Sequence, residues 1–201
     1  MANHDSSMNI IEDGNLTQRR LSFISKSENY NNPVFGLFQK LGGHIRFDRS
    51  GANMDEVYSG LERAVTDNVG IVIYPEGTRN TAPLIGKAGQ RVIDLVGHIV
   101  ELSARHPARI YFVATGRTVD YRQRVTVTCE QLAYAENGQL VILDSNAGLE
   151  YEMRKLEGRG LEFFVNGLVM PTIARLSHKT YNPAVSAFRI GMRSKPGVKQ
   201  T

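Results

Sequence analysis

Gly70-Ile71-Val72-Ile73-Tyr74-Pro75-Glu76-Gly77-Thr78-Arg79 is the stretch around which the chain is organised. The run from Gly70 to Ile73 is short, β-branched and bounded by a proline, the pattern of a buried strand. Pro75 has no N–H to give a sheet ladder, so the strand is expected to stop there. Gly77 removes a Cβ where a ligand or a neighbouring backbone comes close. Arg79 stands just past the strand end, with a planar fork of donors suited to phosphate or carboxylate. An ordinary turn with a surface arginine accounts for these residues equally well.

Upstream, Leu21-Ser22-Phe23-Ile24-Ser25 reads as a short strand. Pro33 to Leu41 reads as a short apolar helix ending at Gly42-Gly43, and His44 to Arg49 as a strand running into a turn. Asn53 with Glu56 three residues on is a variant capping box. Val57, Tyr58, Leu61, Ala64 and Val65 then repeat with helical period, up to Asn68-Val69-Gly70. Downstream of a polar loop, Val92, Leu95, Val96, Ile99 and Leu102 form the clearest amphipathic helix. Arg109 to Ala114 is an apolar strand closed by Thr115-Gly116. Val125, Val127 and Cys129 alternate with polar residues, a half-exposed strand. Asn137-Gly138 is a hairpin turn signal leading into Leu140 to Leu143. Residues 161–176 are apolar-rich around Pro171 and favour core packing over a surface-seeking segment. The residues after Ile190 are basic and read as a mobile tail.

The alternation of strands and helices over residues 21–114 predicts an α/β fold, with a mixed, largely parallel sheet flanked by helices. The length favours a single domain over residues 1–201. In open α/β sheets, ligands sit beyond the carboxyl ends of strands. Arg49 and Arg79 both follow predicted strands and so are candidates for one anion-binding crevice.

Composition narrows the function classes. The single cysteine, Cys129, excludes an internal disulfide and fits a reducing compartment; its strand position reads as a small core residue. No stretch approaches the roughly 20 apolar residues that span a bilayer. A net charge of +4 and a pI near 9.3 favour acidic partners such as phosphates, anionic lipid or an acidic carrier protein. Aromatic residues are not interleaved with Lys and Arg, which argues against a nucleic-acid module. His44, His98 and His106 lack metal-ligand spacing and read as surface or strand residues.

Tyr74-Pro75-Glu76-Gly77-Thr78-Arg79 resembles the Phe-Pro-Glu-Gly-Thr-Arg block of the glycerolipid acyltransferase superfamily, whose best-known branch is the 1-acyl-glycerol-3-phosphate acyltransferases. Gly43-His44-Ile45-Arg46-Phe47-Asp48-Arg49 resembles the block before it, which ends in Asp-Arg. Phe23-Ile24-Ser25-Lys26 and Pro33-Val34-Phe35-Gly36 resemble the segment between the first and second blocks. The family's first block is Asn-His, four further residues, then Asp. Asn3-His4-Asp5-Ser6-Ser7-Met8-Asn9 matches it in spacing, with Asn9 in place of the aspartate. The resemblance covers about residues 3–118. Residues 119–190 carry no motif that it places, and Arg109 to Ala114 lacks the proline usual in the corresponding strand. Only Met1 and Ala2 precede the first block, where family members carry a further strand and often a membrane segment. A truncated or late-start frame, an engineered chain and a compact homologue are the alternatives.

The resemblance implies an acyltransferase of the 1-acyl-glycerol-3-phosphate type, moving a fatty acyl group from acyl-CoA or acyl-carrier protein to a lysophospholipid-type hydroxyl. It implies His4 as general base, with residue 9 orienting the imidazole, and direct transfer without a covalent intermediate. Arg79 would bind the acceptor's phosphate and Arg49 would be a second phosphate group, with Asp48 orienting it. Glu76 would hold the loop or Arg79 itself, and Gly77 and Thr78 would shape it. No metal or prosthetic group is implied beyond the thioester co-substrate. With an acyl-chain substrate and the usual anchor missing, a cytoplasmic protein peripheral to the membrane is expected. Asparagine orients a ring nitrogen but brings no charge, so a homologue that binds anionic lipid with impaired turnover is the alternative.

Overall fold

The computed structural model describes residues 20–48, 50–77, 80–119, 125–143 and 159–186. Tertiary contacts divide the chain into two units, residues 8–73 and residues 74–201 together with 1–7. The division falls between Ile73 and Tyr74, inside the Gly70 to Arg79 stretch.

In the first unit, β1 (Leu21–Lys26) is followed by a 3-10 turn (Ser27–Asn31), α1 (Pro33–Leu41), β2 (Ile45–Phe47), α2 (Met54–Thr66) and β3 (Gly70–Val72). The strands form a parallel sheet in the order β2-β1-β3, with Ile24 opposite Ile45 and Ser22 opposite Ile71. The central β1 buries Ser22, Phe23 and Ser25, as a strand with neighbours on both edges does. The buried Ser22 hydroxyl donates to the Gly43 carbonyl at 2.9 Å, which ties β1 to the turn after α1. Val57, Leu61, Ala64 and Val65 make the buried stripe of α2, at the spacing of one helical face. The helix ends where Asn68 turns left-handed, at φ 52°.

The capping box expected at Asn53 and Glu56 is not formed. The Asn53 amide donates to the Arg46 carbonyl at 2.9 Å and to Glu56 at 3.2 Å, and its oxygen accepts from the Asp48 N–H at 2.8 Å. The side chain bridges the end of β2 and the turn, so its oxygen caps no backbone N–H of the helix.

In the second unit, β4 (Leu84–Lys87) pairs in parallel with β8 (Thr180–Ser186). An antiparallel sheet runs β5 (Ile110–Val119), β6 (Val125–Glu136), β7 (Gln139–Ile142). α3 (Gln90–Leu102) buries Ile93, Leu95, Val96, Ile99, Val100 and Leu102. The 161–176 segment is a core helix: α4 (Gly160–Phe163) continues through a π-helical stretch (Phe164–Val169) into α5 (Met170–Leu176). The wider π turn lies just before Pro171, which has no N–H to donate and would crowd the preceding turn of a regular helix. Phe164, Val165, Met170 and Ile173 are almost wholly buried, and Phe164 meets Phe112 edge-on at 5.6 Å. Asn137 and Gly138, at φ 53° and 75°, make the expected hairpin turn into β7.

The fold is α/β, with parallel and antiparallel pairing in three small sheets among the described residues. Three readings need correction. The loop after Arg79 contains a strand, β4. Gly116 does not end β5, which runs on to Val119. Cys129 is exposed rather than in the core, because its end of β6 turns both faces to solvent up to Gln131. The tail after Ile190 lies outside the described residues. Among the described residues, no helix is long and apolar enough to cross a membrane.

Candidate active site

Of the candidate residues, Glu76 and Gly77 are among the described residues; His4, Asn9, Arg49, Thr78 and Arg79 lie outside them. Glu76 and Gly77 share one tight turn. The Gly77 N–H donates to the Tyr74 carbonyl at 3.0 Å, closing a turn with proline second and glycine fourth. Gly77 has φ 64°, a left-handed conformation that favours glycine. A Cβ built on Gly77 meets nothing within 4 Å. Among the described residues no neighbouring backbone approaches this position, and the left-handed φ by itself favours glycine.

Glu76 is 1% exposed, and its carboxylate accepts a hydrogen bond from the Asn80 side-chain amide. Asn80 is fully buried and saturated. Its amide also donates to the Leu84 carbonyl at 2.9 Å, and its oxygen accepts from the Ala82 N–H at 3.0 Å. The Lys179 ammonium donates to the Asn80 carbonyl at 2.7 Å, and the Thr180 N–H to the Pro83 carbonyl at 2.9 Å. A buried carboxylate needs such donors, because its desolvation otherwise costs several kcal/mol. The loop that follows the Pro-Glu-Gly turn is thus fastened at Asn80 and at the start of the β4–β8 pair, and the Glu76–Asn80 contact joins the residues on either side of positions 78 and 79. Asn80→Ala should cost about 2 kcal/mol, since it strips a donor from a buried carboxylate and from a carbonyl. A urea midpoint unchanged from that of the native protein would contradict this.

The C-terminal residues that no motif placed supply this anchoring. Besides Lys179 and Thr180, Asn166 accepts from the Ala88 N–H at 2.7 Å through its side chain and from the Tyr181 hydroxyl at 2.7 Å through its carbonyl. Burial raises the Tyr181 pKa and keeps that hydroxyl a donor. Sequence reasoning missed Asn80, Asn166 and Lys179. The one available signal was Leu84-Ile85, a short apolar pair after the polar loop.

In the other unit, the turn after β2 is built on Asp48. Its carboxylate accepts from the Ser50 N–H at 2.8 Å and from the Ser50 hydroxyl at 2.7 Å, and its carbonyl accepts from the Gly51 N–H at 3.0 Å. Such an Asx turn fixes the backbone on both sides of position 49.

His44, read as a surface or strand residue, is half-buried and structural. Its Nδ1 accepts the Phe23 N–H at 3.2 Å, which assigns the ring proton to Nε2. Its carbonyl accepts the Tyr30 hydroxyl at 2.8 Å. Burial, and to a smaller degree the Glu56 charge, pushes Tyr30 up to about 12 against the opposing effect of Arg46. Burial also lowers the His44 pKa. A histidine held neutral in the folded state binds fewer protons there than in the unfolded chain. Its stabilisation is complete above about pH 6.5, the unfolded value, and declines as pH falls from there toward the lower folded pKa. The urea midpoint should therefore fall between pH 7.5 and pH 5.5 by more in the native protein than in His44→Gln. Equal falls would contradict the assignment.

A cavity of about 600 Å³ opens beside His44, with Arg20, Lys40, Arg46 and Arg63 among its lining and Glu56 and Asp67 as its acids. Arg46 stacks over the Tyr30 ring at 6.0 Å. Among the described residues, no group of three or more His, Cys, Asp or Glu could hold a metal ion.

No curated protein and no solved structure matches the chain. A family model described as Acyltransferase matches residues 1–102, about half of the sequence and the half that holds the Asn3-His4, Asp48-Arg49 and Pro75 to Arg79 blocks. On that match, the chain belongs to the acyltransferase family.

Proposed function

We propose that this acyltransferase moves a fatty acyl group from acyl-CoA or acyl-carrier protein to a hydroxyl of a lysophospholipid-type, glycerol-phosphate acceptor, in the manner of 1-acyl-glycerol-3-phosphate acyltransferases. His4 is the general base. Its imidazole takes the acceptor's hydroxyl proton as the oxygen attacks the thioester carbonyl. The C–S bond then breaks, and the imidazolium returns the proton to the leaving thiolate. No acyl-enzyme forms, and the reaction as written needs no metal or prosthetic group. Arg79 and Arg49 bind the acceptor's phosphate, a task suited to the guanidinium fork. Gly77 and Thr78 would shape the loop that carries Arg79. Work on an acyl-chain substrate places the protein peripherally at a membrane, on its cytoplasmic side.

The observation that carries this reading is the match of the family model across the Asn3-His4 and Glu76 to Arg79 blocks together. The buried Glu76–Asn80 contact supports it, because it fastens the loop around the proposed phosphate ligand. Asn9 favours a second reading, a homologue that binds anionic lipid with little turnover. Thiol release from a long-chain acyl-CoA separates the two. Release that depends on lysophosphatidic acid supports transfer. Lipid binding that needs Arg79, without thiol release, supports the second reading.

A further inference from the structure

Helix α1 is inside-out. It buries Gly36 and Gln39 and exposes Val34 at 80%, Leu37 at 57%, Phe38 at 54% and Leu41 at 78%. The exposed positions follow i, i+3, i+4, i+7, so they form one continuous stripe along one face. Gln39 is fully buried, and neither atom of its side-chain amide has a hydrogen-bond partner. A surface helix in water turns such residues the other way. The helix is also held in this orientation. A Cβ on Gly36 would lie 2.3 Å from the Tyr30 carbonyl oxygen, so the glycine face is locked onto the preceding 3-10 turn.

The C-terminal end of the stripe is cationic. Lys40 on α1 and the Gly42-Gly43 turn after it line the cavity that also presents Arg20, Arg46 and Arg63, against the acids Glu56 and Asp67. An apolar stripe beside a net positive rim fits the interface of an anionic bilayer, with apolar side chains at the acyl boundary and cations at the headgroups. A second copy of the chain fits less well. A nine-residue helix is about 13 Å long, and four side chains on it present less than the roughly 800 Å² per partner that stable protein interfaces bury.

We propose that α1 is the membrane-docking element: Val34, Leu37, Phe38 and Leu41 enter the acyl boundary of an anionic bilayer, and the Lys40-lined cationic rim receives headgroup phosphates. This deepens the peripheral-membrane part of the function proposed above and rests on it. Docking on this face would bring the protein to a bilayer-resident acceptor.

The test is flotation of the purified protein with phosphatidylcholine vesicles, with and without phosphatidylglycerol, alongside the double variant Leu37→Glu/Phe38→Glu and the single variant Lys40→Glu. All three positions are exposed, so the variants should keep the native urea midpoint. The native protein should float with phosphatidylglycerol vesicles, and the double variant should partition at least about tenfold less. Lys40→Glu should lose several-fold on phosphatidylglycerol vesicles and nothing on phosphatidylcholine alone. Equal flotation of native and double variant overturns the proposal. So does no flotation of the native protein, or a dimer in gel filtration that Leu37→Glu dissolves. Thiol release from a short-chain, water-soluble thioester is measured on the same samples. Activity that persists in the double variant while flotation is lost supports docking by α1. Flotation that depends on the stripe, with no transfer by any sample, leaves docking standing and removes the acyltransfer reading.

Discussion

Gly116→Ala is expected to destabilise the unit formed by residues 74–201 by about 3 kcal/mol or more, the upper end of what overpacking costs. Gly116 lies inside β5, opposite Thr128 of β6, and α5 crosses it at Leu176. A Cβ there would sit 2.2 Å from the Leu176 Cβ, 2.3 Å from its carbonyl carbon and 2.6 Å from its carbonyl oxygen. Two of those atoms are backbone, so no rotamer change relieves the overlap. The helix end would have to retreat, loosening Ile173 and Ala174, which are buried on α5. Gly89 is the control, because a Cβ there meets nothing within 4 Å and its φ of −79° suits any residue. Urea unfolding of both variants checks the comparison. Equal losses at 116 and 89 would show that the contact with Leu176 is not what the glycine provides.

The second large effect concerns residue 9. Asn9→Asp is expected to raise acyl transfer by about 10²–10⁴, the range in which a positioned acid–base group contributes. An aspartate would orient the His4 ring and stabilise the imidazolium that forms when the ring takes the hydroxyl proton. Asparagine can hold the ring but supplies no charge, and it can select the wrong tautomer. In serine proteases the corresponding Asp-to-Asn change lowers turnover by about 10⁴, and Asn9→Asp is the reverse change. His4→Ala in the Asn9→Asp background should return the rate to that of His4→Ala alone, because the carboxylate acts through the imidazole.

Much of the first unit was legible because its signals are local. The apolar run before Gly42-Gly43 gave α1, hydrophobic period gave α2, and the Gly70 to Ile73 run gave β3, although that strand already ends at Val72 and, paired among the described residues only with β1, is half-buried rather than buried. The second unit was harder for reasons that are physical. β4 is four residues long and is held by pairing with β8, almost a hundred residues later, so neither strand announces itself alone. Gly116 looks like a strand breaker in isolation and is instead the point where a helix comes close. Asn53 has the residue type and spacing of a cap, but its amide is drawn off by the Arg46 carbonyl and the Asp48 N–H. Of the candidate site, the blocks marked Glu76 and Gly77 by residue type, while the burial of Glu76 against Asn80 is set by the tertiary fold. They did not give Asn80, Asn166 or Lys179, whose role is to anchor a loop through contacts set by the tertiary fold. The stripe on α1 was legible as an apolar helix. That its apolar face points outward follows only from the Tyr30–Gly36 contact.

The most direct test of the central claim, acyl transfer with His4 as base, is thiol release from a long-chain acyl-CoA with lysophosphatidic acid. The native protein, Asn9→Asp and His4→Ala are compared, all verified as folded. The native protein should show acceptor-dependent release, Asn9→Asp a strong gain and His4→Ala none above background. Release that survives His4→Ala unchanged, or silence from all three folded proteins, would contradict the claim.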